Sequence, residues 1–206
     1  MFYLHNMSQF NLTSEILAHV MVQKLHALDI KDTTQMKMQK LVYFALAWWG
    51  VLFNNKLINE TPLAWEHGPV FTNLRNKTRE FGSNPIDLEA LKYGSESVDE
   101  KVSDFLDSII SRYGKMSASE LRDTSHHEVW FSANKTEDQN MKWEDIIEYH
   151  KNHLKDAAII QRDQKNKVWV ATSDIIPGLV LEYEDYALLE TELDDIANDL
   201  IKENCN

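Results

Sequence analysis

The sequence has few of the residues that mark secreted, metal-binding or low-complexity proteins. It contains one cysteine, Cys205, which excludes an internal disulfide and gives no basis for a cysteine metal cluster or a buried thiol nucleophile. Six glycines and four prolines leave little room for flexible linkers or collagen-like repeats. We therefore expect an intracellular protein that folds around a hydrophobic core.

Long hydrophobic runs and an excess of positive charge are also lacking. The longest apolar run, Leu41–Phe53, is shorter than the ~18 residues that a membrane span needs. The N-terminus lacks the basic and apolar regions of a secretory signal. Because 33 acidic residues outnumber 21 basic ones, the formal charge is −12, which repels nucleic-acid backbones and anionic membranes. These features predict a cytoplasmic location without membrane or nucleic-acid partners.

Apolar residues at steps of three and four predict a mainly α-helical protein. Capping residues at positions 13–14 and 33–34 begin the first two helices, and the second is apolar on most of its circumference, which places it at the centre of the fold. Pro69 is expected in the first turn of a third helix and Gly114 at the left-handed end of a fourth. Ser117 and Glu120 have the spacing of a capping box for a short helix. The fourth helix is predicted over residues 98–113, and two further helices over residues 142–154 and 185–203.

The pattern changes after about residue 155, where short runs of β-forming residues replace the helical periodicity. Two runs predict a hairpin, a third predicts another short strand, and an acidic amphipathic helix follows. The apolar stripe of this helix either folds back on the hairpin or pairs with another chain, so a homo-oligomer remains open. We predict an N-terminal segment at 1–13, a helical domain at 14–153 and a short α+β extension at 154–206.

One segment combines residues that restrict the backbone with residues suited to packing. Gly68 permits a backbone shape that other residues resist, Pro69 suits the start of a helix, and Trp65 can anchor the chain. The segment reads Ala64-Trp65-Glu66-His67-Gly68-Pro69-Val70. It lies between Lys40-Leu41-Val42-Tyr43 upstream and Phe81-Gly82, Tyr113-Gly114 and Ser125-His126-His127-Glu128-Val129-Trp130 downstream.

Taken together, these motifs resemble the Panacea antitoxin domain family, the helical domain of many phage-associated and toxin–antitoxin proteins. In this family a Lys-Leu helix with a tyrosine precedes an Ala-Trp-x-x-Gly-Pro-Val segment. A helix ending at an aromatic-glycine pair and a Ser/Thr-His-x-Glu-x-x-Trp-like element follow. The resemblance covers about residues 14–153. The chain departs from the pattern at Val129, where proline is common, and at His127, which doubles the histidine.

The resemblance implies a non-enzymatic antitoxin that binds and neutralises a cognate protein toxin, encoded by an adjacent gene, with no cofactor or metal. Some relatives deliver a toxin to a protease, so an adaptor with a protease or chaperone partner, or a phage-associated regulator, remains an alternative. The candidate partner-binding residues are Lys40, Tyr43, Trp65, His67, Pro69, His126, Glu128 and Trp130.

Several of these residues also suit a purely structural role. Trp65 and Pro69 are expected to fix the start of a helix and pack in the core. Lys40 can bind a partner or extend its charge from the buried helix to solvent. His126 and Glu128 are expected to bond the backbone and hold their loop in place.

The histidines offer a third reading, a metal-dependent or acid–base enzyme. His126, His127 and Glu128 could join His150 and His153, which are three residues apart, if the fold brought the two segments together. However, no cysteine joins them, and the sequence shows no HExxH, phosphate-binding or nucleophile-elbow pattern. We therefore expect neither a metal site nor catalysis.

Overall fold

The computed structural model describes residues 12–91 and 98–204, which contain eight α-helices and two small antiparallel sheets. The predicted mainly α-helical class with a small α+β extension is confirmed. Cys205 and the first eleven residues lie outside the described residues. The helices are α1 (Ser14–Ala27), α2 (Gln35–Phe53), α3 (Thr72–Thr78), α4 (Glu100–Tyr113), α5 (Ala118–Ser125), α6 (Glu128–Asn134), α7 (Trp143–Lys151) and α8 (Tyr186–Asn204). The strands are β1 (Leu63–Trp65), β2 (Gly68–Val70), β3 (Ile159–Asp163), β4 (Val168–Thr172) and β5 (Val180–Tyr183).

Helix α2 lies at the centre of the fold, as its apolar circumference predicts. Every residue from Lys37 to Leu52 is buried, and α1, α4, α5 and α7 pack around it. The helix begins at the Thr34 cap and ends where Asn54 takes the left-handed conformation, with φ of 48°. A Cβ on Gly50 would overlap Ile147, so the glycine permits close packing of α7. Among the described helices none is both long and apolar enough to cross a bilayer.

Buried aromatic residues connect α2 to α4 and to the chain that follows α7. Phe44 stacks on Tyr113 with ring centroids 4.4 Å apart. The Trp48 indole N–H donates to the Tyr113 hydroxyl at 2.9 Å, and that hydroxyl donates to the Asp156 carbonyl at 3.1 Å. Because each polar group has a partner, these side chains fill the core without a desolvation penalty for an unpaired donor.

The structure places Pro69 in a strand, so its expected position in the first turn of a helix is wrong. Strands β1 and β2 form a hairpin in which Ala64 pairs with Pro69 and Trp65 with Gly68. Gly68 has φ of 93°, which favours glycine and lets the chain close the tight turn. Helix α3 begins later, at Thr72.

Gly114 ends α4 in the right-handed region, with φ of −63° and ψ of −28°, so the left-handed cap is also wrong. A Cβ there would lie 2.5 Å from the Ile110 carbonyl oxygen and 3.1 Å from Leu25 Cδ2. The glycine therefore avoids a clash mainly with the last turn of α4 itself, and also with Leu25 of α1. The capping box is confirmed, because Ser117 and Glu120 satisfy each other's backbone N–H groups.

The last part of the chain forms a three-stranded sheet in the order β3-β4-β5, followed by α8. The apolar stripe of α8 folds back on the sheet and on a 3-10 helix at Leu154–Ala157. Leu189, Leu193 and Ala197 are fully buried in this packing. The stripe thus folds back on the sheet within the chain, as the first of the two alternatives for this helix predicts.

Candidate functional site

A groove of about 320 Å³ lies between α2, the β1–β2 hairpin and α3. Helix α2 supplies its floor, the hairpin supplies one wall and α3 supplies the other. Three of the candidate residues, Lys40, Trp65 and His67, meet here. The complete lining is Gln35, Met36, Gln39, Lys40, Trp65, Glu66, His67, Val70 and Arg75.

Lys40 is a buried cation at the floor of the groove. Its side chain does not extend to solvent, because the residue is 1% exposed and its Nζ donates to the Pro69 carbonyl at 2.9 Å. Within the described ranges no carboxylate forms an ion pair with it. Burial, with a smaller contribution from the nearby Arg122 charge, lowers the pKa of Lys40 to about 7.

Gly68 makes the position of this lysine possible. A Cβ on Gly68 would lie 2.8 Å from Lys40 Cε, 2.9 Å from Lys40 Nζ and 2.9 Å from Ser125 Oγ. The glycine of the Gly-Pro pair therefore leaves room for the Lys40 ammonium group, and the proline carbonyl accepts a hydrogen bond from that group.

Gln39 attaches the segment after the hairpin to α2. Its side-chain Oε1 accepts from the Phe71 N–H at 2.7 Å, and its Nε2 donates to the Phe71 carbonyl at 3.2 Å. Both bonds are buried, so the amide acts as a backbone clamp at the start of α3. Gln39 is not among the residues predicted from the sequence, since a single glutamine in a helix has no distinguishing pattern.

The hairpin itself is held through its main-chain atoms. The Ala64 carbonyl accepts from the side chains of Asn134 and Gln139, at 2.6 Å and 3.3 Å. The Trp65 carbonyl accepts from the Trp130 indole N–H at 2.9 Å. The side chains of the turn, at residues 66–67, take no part in these bonds and are exposed.

The rim of the groove combines an aromatic ring with a guanidinium group. The Arg75 guanidinium lies 4.9 Å from the centre of the half-buried Trp65 ring, within the range of a cation–π contact. Arg75 was also absent from the sequence-based candidates, because a lone arginine on a helix gives no signal of a site. Lys40 and Arg75 place basic side chains in this region, beside the exposed His67.

His126 and Trp130 support the hairpin from behind. Their rings stack with centroids 3.9 Å apart and an angle of 15°. Burial, followed by the charges of Lys40 and Arg122, lowers the pKa of His126 below its usual value. The expected backbone bonds from the side chains of His126 and Glu128 are not found among the described residues, so that interpretation is wrong. Glu128 is exposed.

Tyr43 lies in the core and pairs with the second histidine of the motif. Its hydroxyl is 2.6 Å from His127 Nε2 and 3.5 Å from His150 Nε2. His127 also stacks on Tyr149, which stacks on His153, with centroid distances of 3.9 Å and 4.1 Å. The fold therefore brings the two histidine segments together, although their sequence separation gave no sign of it.

This histidine cluster is a packed core element. Tyr43 is fully buried and His127 and His150 are 7% and 1% exposed, and none of the three lines the groove. Burial lowers the pKa of His127 to about 4 and that of His150 well below its usual value, so both rings are neutral near neutral pH. In the described part of the chain no group of three histidine, cysteine, aspartate or glutamate residues has a geometry that could hold a metal ion.

The eight candidates thus divide into three groups. Lys40, Trp65 and His67 line the groove, and Pro69 is buried beside it with its carbonyl bonded to Lys40. His126 and Trp130 stack behind the hairpin, while Tyr43 is in the core. Glu128 lines a different, more acidic hollow beside α7.

Comparison with known families agrees with the motif-based resemblance. Residues 38–131 match the family model described as Antitoxin SocA-like, Panacea domain. The match spans the central helix, the hairpin and α3 to α5, with most of α6, and it confirms the resemblance over this part of the chain. Residues 158–206 match a second model, described as Domain of unknown function (DUF1902). No curated protein and no solved structure matches the chain significantly.

Proposed function

We propose, on the premise that residues 38–131 form an antitoxin-like Panacea domain, that this protein neutralises a cognate toxin by binding it directly. The match to an antitoxin family is the observation that carries the proposal, and it supports a toxin–antitoxin role in general. The toxin is a protein encoded by an adjacent gene, and the complex forms in the cytoplasm. The activity is sequestration rather than catalysis.

The geometry supports a binding role for the groove. Its floor belongs to a helix that is buried from Lys37 to Leu52, so the surface is presented on a rigid scaffold. The turn beside it exposes Glu66 and His67, and Arg75 and Trp65 form the rim. A recess with an exposed turn at its edge provides a surface against which a protein partner can dock.

Growth rescue tests this function. The adjacent open reading frame is expressed alone, with this protein, and with a frameshifted copy of this gene. Growth arrest that only the intact protein relieves, with co-purification of the two products, is the expected result. Arrest without rescue, or rescue without a complex, would contradict direct neutralisation.

A second function is delivery of the toxin to a protease, the alternative that the family resemblance implies, and residues 158–206, which match a separate model of unknown function, would then be the handle. This part carries nine acidic residues and one basic residue between Glu182 and Glu203, and Val180 and Leu188 are exposed, so it offers a surface for a second partner. The two functions are distinguished by the half-life of the toxin, measured after translation has been stopped. A sequestering antitoxin leaves the half-life unchanged or longer, whereas an adaptor shortens it.

The proposed division of the chain follows the same lines. We assign toxin binding to the helical part, 14–153, and any regulatory contact to the extension, 154–206. A shared core joins the two parts, since Ile175 and Ile176 are buried together with residues of the helical part. Point variants on exposed positions therefore test the extension more cleanly than its deletion.

A further inference from the structure

The groove concentrates positive charge in an otherwise acidic protein. The chain has a formal charge of −12, yet Lys40 and Arg75 line the groove, and Glu66 is the single acidic residue in its described lining. We propose that this groove binds an aspartate or glutamate side chain of the protein partner. The inference rests on the proposed function for the existence of that partner.

The first argument is the incomplete pairing of Lys40. An ammonium group has three N–H donors, and in the part of the chain that the structure describes Lys40 bonds only to the Pro69 carbonyl. A buried charge is costly unless a counter-charge compensates it. A carboxylate entering the groove would supply that counter-charge, whereas the neighbouring Arg122 increases the local positive potential.

The second argument is the presentation of Arg75. Its guanidinium lies over the Trp65 ring, and none of the described carboxylates forms an ion pair with it. Among the described residues the guanidinium N–H groups donate no hydrogen bond, so they remain available, and their planar arrangement matches the two oxygens of a carboxylate. Lys40 and Arg75 thus provide a buried point charge and a planar donor in one groove.

The walls of the groove and the charge of the chain favour a protein side chain over a phosphate backbone. Met36, Trp65 and Val70 give the groove apolar walls, which suit an acidic residue flanked by an apolar one. A nucleic-acid strand would bring many negative charges close to a protein of charge −12. A single carboxylate interacts mainly with the charges within about 8 Å, the screening length at physiological salt, and so responds to the groove more than to the net charge of the chain.

The chemistry of the groove can be tested without the toxin. The ¹⁵N-labelled protein is titrated separately with the acetylated and amidated peptide Ala-Glu-Leu-Ala, with its glutamine counterpart, and with inorganic phosphate. We expect the glutamate peptide alone to shift the Trp65 indole and Gly68 amide signals. Arg75→Gln should abolish these shifts, and Arg79→Gln, an exposed position outside the groove, should preserve them.

Equal shifts with the glutamine peptide, or shifts away from the groove, would overturn the proposal. Shifts with phosphate but not with the glutamate peptide would identify a free-anion site and overturn it as well. Arg75 is half-buried on a short helix, so its variant tests the groove without removing the core lysine.

The second experiment uses the toxin from the adjacent gene. Arg75→Gln should weaken its Kd by about tenfold, the value of one charge-assisted interaction, and Arg79→Gln should leave it within about twofold. If the wild-type protein neutralises the toxin and Arg75→Gln binds equally well, the groove proposal is wrong and the proposed function stands. If the wild-type protein does not neutralise the toxin, the proposed function fails, and the peptide titration alone decides the chemistry of the groove.

Discussion

Replacing Lys40 with methionine should make the protein more stable while weakening its binding to the partner. Methionine has a similar length and fills the same buried space without a charge. Burial lowers the pKa of Lys40 from 10.5 to about 7. At about 1.36 kcal/mol for each pH unit, the charged side chain costs the folded state about 4 kcal/mol at neutral pH.

Part of the stability gained by removing the charge is lost again in Lys40→Met. The Pro69 carbonyl loses its hydrogen bond from Lys40, and a buried acceptor left without a partner costs about 1–3 kcal/mol. The net expectation at neutral pH is therefore a stabilisation of about 1–3 kcal/mol. A charged residue retained at such a cost is typical of a functional site.

Urea denaturation at several pH values measures this difference. The unfolded chain releases the Lys40 proton near pH 10.5 and the folded chain near pH 7, so between these values the unfolded state binds more protons. The free energy of unfolding of the wild type therefore increases as the pH rises. The difference in unfolding free energy between Lys40→Met and the wild type should fall by about 3 kcal/mol between about pH 7 and about pH 10.

Lys37→Met is the matched control. Lys37 lies in the same helix and is 2% exposed, but its Nζ is 3.5 Å from an Asp32 carboxylate oxygen. Because this charge is paired, its removal should not stabilise the protein. A Lys40→Met variant that is less stable than wild type at neutral pH, or whose difference from wild type does not change with pH, would refute the reasoning.

Two further predictions concern the core and the hairpin. Because the pKa of His127 is about 4 in the folded protein and near 6.5 in the unfolded chain, stability should fall by about 3 kcal/mol as the pH is lowered from about 6.5 to about 4. Urea midpoints that stay constant over this range would contradict it, and His127→Gln should reduce the dependence. Gly68→Ala should cost about 2 kcal/mol or more, because φ is 93° and the new Cβ would press on Lys40. Gly82→Ala, at φ of 55° in open space, should cost about 1 kcal/mol, and equal losses in thermal denaturation would argue against crowding at the lysine.

The helices were predictable because local chemistry determines them. The Ser117–Glu120 capping box forms as expected, and the uniformly apolar α2 is the central helix. The β1–β2 hairpin was not predicted, because strands of three residues are too short to show an alternating pattern. Pro69 therefore suggested a helix start although it lies in β2.

The site was only partly predictable, because contacts between distant segments define it. Lys40, Trp65 and His67 meet in the groove, as a partner-binding surface would require, but Arg75 gave no signal in the sequence. The contact of Tyr43 with His127 joins residues that are 84 positions apart, and only the packing of the helices creates it. The buried charge of Lys40 was also unforeseen, since lysine usually reaches solvent.

The β1–β2 hairpin is held in place through its main-chain atoms, so the position of its turn does not depend on which side chains the turn carries. The carbonyls of Ala64, Trp65 and Pro69 hold the hairpin, and a carbonyl is present whatever the side chain. Glu66 and His67 can therefore be exchanged without moving the loop that carries them. Under the proposed function, changes at these two positions would alter the rim of the groove and leave the scaffold unchanged, so recognition of a different toxin would evolve at little cost to folding.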